Sequence, residues 1–111
     1  MAGNHDFNID QGTTWNRIIT ITQNDAPVNL TSFTARMQLR RVKSQTTADL
    51  SLSIGEGITI TPQTGEIQIS LTAEQTAQLS DAYFYDLELV SGSVVGRYLQ
   101  GKIIISPEVT R

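Results

Sequence analysis

Apolar and polar residues alternate with period two along almost the whole chain, the spacing of strands that bury one face. Phe7 and Ile9 share a face of a short strand over Asp6–Asp10, which Gln11-Gly12-Thr13 ends. From Trp15 to Thr22, Trp15, Ile19 and Ile21 lie on one side, with Arg17 among them. Gln23-Asn24-Asp25-Ala26-Pro27 is a turn cluster, because Asn and Asp accept left-handed backbone and Pro fixes φ. Val28 and Leu30 follow, with Thr31-Ser32 as a corner. The segment Phe33–Arg41 is the most regular. Phe33, Ala35, Met37 and Leu39 face one way and Thr34, Arg36, Gln38 and Arg40 the other, a half-buried strand with a basic, solvated face.

Beyond it, the polar run Lys43–Thr47 reads as a loop, and Leu50 and Leu52 mark a short strand that Gly55-Glu56-Gly57 turns. Ile58 and Ile60 are expected to pair with Ile67 and Ile69 across Pro62-Gln63-Thr64-Gly65, a hairpin signal. A short helix interrupts the strands near residues 73–79: Thr72-Ala73-Glu74-Gln75 fits a capping box, with Thr72 as N-cap and Gln75 reaching back. Tyr83, Tyr85, Leu87 and Leu89 share the next strand face. After Ser91-Gly92-Ser93, Val95–Ser106 returns with Leu99, Ile103 and Ile105 inward and Tyr98 outward. Gly96 and Gly101 within that strand signal bulges or close backbone approaches.

Roughly seven or eight short strands, with turn signals about every 8–12 residues, predict an all-β, Ig-like β-sandwich. No linker, repeat or low-complexity tract divides the chain, so residues 1–111 read as one domain, with 1–5 expected to form a flexible arm. The order helix, Leu79-Ser80-Asp81-Ala82-Tyr83, strand is that of a tyrosine corner, in which a Tyr hydroxyl caps the backbone where the chain changes sheets. Tyr83 is the candidate and Tyr85 the alternative; both also suit the edge of a core as amphipathic side chains. The expected core includes Trp15, Phe33, Met37, Tyr83 and Tyr85.

Composition narrows the function. Of 111 residues, 39% are apolar and 17% charged, and there is no cysteine, which excludes a disulfide scaffold, a thiolate nucleophile and a cysteine-ligated metal. The net charge of −3 argues against electrostatic binding of nucleic acid. The N-terminus lacks the basic and apolar regions of a signal peptide, and the longest purely aliphatic run, Ile103-Ile104-Ile105, is far shorter than the ~20 residues of a membrane helix. A soluble protein made in a cytoplasm, without membrane or nucleic-acid partner, is expected.

Catalytic chemistry finds little footing. His5 is the single histidine and lies near a terminus, without the rigid neighbours a Ser-His-Asp relay requires. Asp86 and Glu88 share a strand face, preceded by Asp81, yet no calcium-loop spacing surrounds them, and a charged outer strand face accounts for them. No glycine-rich loop leads from a strand to a helix N-terminus. No catalytic residue, metal ligand or cofactor is therefore expected. Basic residues cluster once, at Arg36, Arg40, Arg41 and Lys43. Without interleaved aromatics they suit a solvated face or a protein interface better than a nucleic-acid groove.

Four stretches together resemble a known family: Asp6-Phe7-Asn8-Ile9-Asp10-Gln11-Gly12-Thr13-Thr14-Trp15; Pro27-Val28-Asn29-Leu30-Thr31-Ser32-Phe33-Thr34-Ala35-Arg36-Met37-Gln38-Leu39-Arg40; Tyr85-Asp86-Leu87-Glu88-Leu89; and Leu99-Gln100-Gly101-Lys102 through Pro107-Glu108-Val109-Thr110-Arg111. The chain is similar to the small immunoglobulin-like domains of tailed-phage virion proteins, of the kind at the N-terminus of the lactococcal-phage upper baseplate protein. Ser32 departs from the pattern, since the family often has Gly before the aromatic. The resemblance implies a virion structural role and does not by itself choose between tail, baseplate and capsid. With no credible catalytic site beside it, the preferred expectation is a non-enzymatic protein that connects tail, baseplate or fibre parts in several copies, with the tail or baseplate favoured over the capsid. Capsid decoration (head cement) is the alternative, and a host-surface glycan-binding module, stacking sugars on aromatics, is a second. Arg36, Arg40, Arg41, Lys43, Tyr98 and Arg111 are the candidate interface residues.

Overall fold

The computed structural model describes residues 3–107; Arg111, with the rest of 108–111 and residues 1 and 2, lies outside the described residues. The elements are β1 (Gly3–Asn4), β2 (Phe7–Asp10), β3 (Trp15–Thr20), β4 (Thr22–Gln23), β5 (Ala26–Pro27), β6 (Thr34–Arg40), β7 (Leu50–Ile54), β8 (Gly57–Thr61), β9 (Glu66–Leu71), α1 (Ala73–Ala77), β10 (Ala82–Ser91) and β11 (Val94–Ser106), with a 3-10 turn at Pro62–Thr64. Eight of the strands have four residues or more.

Two layers result. In the first, β11, β10, β6 and β7 are antiparallel neighbours, and β1 and β2 add to the outer side of β11 in parallel. In the second, β8, β9 and β3 are antiparallel. The layers are joined along one side where Ser53 and Ile54 pair in parallel with Gly57 and Ile58. The alternating apolar residues of both layers meet in one core: Ala35, Met37 and Leu39 of β6, Tyr83, Tyr85 and Leu87 of β10, and Ile103 and Ile105 of β11 are buried together with Ile58, Ile67, Ile69 and Leu71 of the other layer. Burying each large aliphatic side chain contributes ~1.5–3 kcal/mol, so this shared core is what holds two sheets face to face.

Local signals behave as their chemistry requires. Ile58 pairs with Ile69 and Ile60 with Ile67, the register anticipated for the hairpin. Thr72 caps α1, its hydroxyl accepting from the Gln75 amide while the Gln75 side chain accepts from the Thr72 amide. The helix ends at Ala77, two residues short of expectation; Gln11 Nε2 donates to the Leu79 carbonyl at 2.7 Å just beyond it. Between β4 and β5, Asn24 and Asp25 have φ of 53° and 63°, the two-residue loop whose twist matches a hairpin.

Three expectations change. The arm is hydrogen-bonded from Gly3 onward: Gly3 and Asn4 pair with Leu99 and Gln100, and the His5 amide donates to the Gln100 carbonyl at 2.9 Å. Tyr98, expected outward, packs against the core beside Leu99. The cause is a bulge: Leu87 pairs with Leu99 but Glu88 with Arg97, leaving Tyr98 as the extra residue and reversing the phase of alternation. Trp15 and Phe33 pack against the core while remaining partly exposed, because Trp15 opens a strand that among the described residues is paired only to β9, and Phe33 precedes the first residue of β6.

Candidate functional site

The outer face of the first layer carries the charged residues of β6, β10 and β11. There Arg36 Nε lies 2.7 Å from Glu88 Oε1, and Arg97 Nε 3.4 Å from Asp86 Oδ2. Both pairs cross between neighbouring strands: Arg36 lies directly opposite Glu88, whereas Arg97, opposite Glu88 on the other side, reaches diagonally to Asp86, whose own register partner on β11 is Gln100. Both are solvent-exposed pairs, which set orientation more than they add stability.

Toward the end of this face nearest β1, a concavity of about 430 Å³ opens, lined among others by Arg40, Lys43, Phe84, Asp86, Arg97 and Lys102. Asn4 and Asp6 form its wall, because the N-terminal segment runs alongside β11 there, paired to it in parallel. Asp6 Oδ1 accepts from the Lys102 backbone amide at 2.9 Å. The half-buried ring of Phe84 sits between two cations, Lys43 Nζ at 5.0 Å and Lys102 Nζ at 5.6 Å from its centroid. Arg40 is fixed by neutral acceptors, the Gln45 carbonyl at 3.0 Å and Gln38 Oε1 at 2.7 Å.

The basic cluster of the sequence is thus divided by the fold. Arg40 and Lys43 line the concavity, Arg36 is engaged by Glu88, and Arg41 turns to the helix–strand corner. Arg41 Nη2 donates to Ser80 Oγ at 2.6 Å and to the Tyr83 hydroxyl at 3.1 Å, and its guanidinium lies 4.6 Å from the Tyr83 ring centroid. The Tyr83 hydroxyl also accepts from the Ser80 amide at 3.3 Å, three residues upstream, the contact sought for a tyrosine corner. Tyr85, by contrast, reaches the N-terminal segment, donating to the His5 carbonyl. Burial, and secondarily the Asp6 charge, push its phenol well above the usual tyrosine range, so it stays a neutral donor.

The remaining candidates are dispersed. His5 rests its ring edge-on to Phe7 at 4.7 Å. Among the described residues no three His, Asp or Glu side chains converge in a metal-binding group, and no helix is long and apolar enough to cross a membrane. Sequence reasoning missed Phe84, Lys102, Asn4 and Asp6 as members of one surface. Only Phe84 carried a signal, as an aromatic at an outward position of β10.

No protein-family model and no curated protein matches the sequence. Solved structures do match its shape. The N-terminal domain of phage TP901-1 ORF48 is similar with a TM-score of 0.61 and 10% identity, over 96% of this chain and 90% of that one. An extracellular domain of the voltage-gated sodium channel beta4 subunit, described as a parallel homodimer with a role in cell-cell adhesion, is similar with a TM-score of 0.55 and 12% identity, over 98% of this chain and 96% of that one. The fold is an Ig-like β-sandwich. Identities this low establish architecture alone, since one sandwich carries many functions.

Proposed function

We propose that the protein is a non-enzymatic structural component of a tailed-phage virion, one that joins tail, baseplate or fibre parts in several copies through protein–protein contacts. The observation that carries this reading is the likeness, along nearly the whole chain, to a phage protein domain, in line with the virion motifs of the sequence. A sandwich with charged side chains paired across its outer face, and with reactive groups dispersed, acts by its surface. Its free edge suits the same role: β3 is paired only on its β9 side among the described residues, leaving backbone donors and acceptors for a partner strand.

Disrupting the gene tests the reading. Particles of altered protein composition and lowered infectivity are expected, whereas virions unchanged in both would overturn it. Blotting separated heads and tails then decides between the connecting role and capsid decoration. Glycan binding through stacked aromatics has less support, because Tyr98 is turned toward the core and Phe84 faces two lysine ammoniums.

A further inference from the structure

We infer that the concavity over Phe84 is a docking site for an acidic, extended segment of a partner protein. Four basic side chains line it, and of these Arg40, Lys43 and Lys102 lie, among the described residues, beyond salt-bridge distance of any carboxylate, whereas Arg97 is paired with Asp86. Each of the three is nonetheless held in position, the lysines over one ring and Arg40 by two neutral oxygens. Ordering flexible basic side chains beforehand lowers the entropic cost of meeting an anion.

Charge makes the choice of ligand. The concavity holds Arg40, Lys43, Arg97 and Lys102 against Asp6 and Asp86, four positive charges to two negative, on a chain of net charge −3. A positive recess on an acidic protein attracts carboxylates selectively. The two aspartates stay inside it, one paired to Arg97 and the other accepting from the Lys102 amide. They repel a dense polyanion such as nucleic acid, whereas carboxylates spaced along a peptide can alternate with them. A sugar acid is disfavoured because the lysines occupy the ring that would stack on it. The inference rests on the proposed function only in taking the partner to be another virion protein.

The test titrates the isotope-labelled full chain with a short capped peptide alternating glutamate and serine, followed by NMR. Shift changes at Lys43, Phe84 and Lys102 are expected, with binding weakened about tenfold when salt is raised from roughly 0.03 to 0.3 M. The double variant K43Q/K102Q should lose the response, and K43E/K102E should instead respond to the lysine–serine peptide, which shows the fold intact. No shift at millimolar glutamate peptide, an equal response to glutamine–serine peptide, or binding of oligogalacturonate alone would each overturn the inference. None of these outcomes bears on whether the protein is found in virions, so the two readings fail separately.

Discussion

The Tyr85 hydroxyl donates to the His5 carbonyl oxygen at 2.6 Å, joining residues 80 positions apart. This bond anchors the N-terminal segment over the core, where the Phe7 ring lies 5.4 Å from that of Tyr85. It also couples stability to alkaline pH. The folded state raises the phenol above its ordinary value of 10.0, so its contribution is complete below that pH and is lost as pH climbs toward the folded value. Tyr85→Phe should cost ~1–2 kcal/mol at neutral pH, from the unpaired carbonyl. It should also flatten the decline in stability above pH ~10. Denaturant melts at pH 8 and pH 10.5 check both, and an unchanged alkaline slope would rule the coupling out.

Gly101 is where the chain start passes closest to β11. A Cβ there would collide with the His5 carbonyl and meet Asp6 Oδ1 at 2.9 Å. Gly101→Ala should therefore destabilise by ~2 kcal/mol or more, since backbone rather than a flexible side chain must shift. Hydrogen exchange should quicken at His5 and Lys102. Gly96→Ala is the matched control, because nothing lies within 4 Å of its Cβ, and it should leave exchange at His5 unchanged.

Ser32 adopts φ of 74° in the corner before Phe33, conformational territory that suits glycine. Ser32→Gly should raise stability by ~0.5 kcal/mol, the relief of left-handed strain less the added entropy of the unfolded chain. A β-branched residue there, as in Ser32→Val, should lower it. Thermal melting of the two variants against the parent decides the sign.

Thr76 is the one buried polar side chain among the described residues, and its hydroxyl donates to the Thr13 carbonyl at 2.7 Å, stitching α1 to the turn before β3. Thr76→Val keeps the shape and removes the donor, so it should cost ~1–3 kcal/mol. Thr76→Ser, which keeps the donor, should recover most of that loss in the same unfolding measurement.

Much of the fold was written locally. The alternation of Ala35, Met37 and Leu39, the Ile58–Ile69 hairpin, the Thr72–Gln75 capping box and the Asn24-Asp25 turn each depend on neighbours within a few residues, through backbone preference and the two-residue period. The strands, the helix start and most of the buried face were therefore legible from residue order before any tertiary contact was known. Tyr98 shows where that ends: one extra residue opposite Leu87 and Glu88 turned it inward, and only pairing between strands sets such a slip. The same holds for the candidate site. Asn4, Asp6, Arg40, Lys43, Phe84 and Lys102 come from opposite ends and the middle of the chain. Only the packing of β1 against β11, and of β10 between β11 and β6, brought their charges together, because contact between distant segments is decided by the closure of the core and not by local propensity.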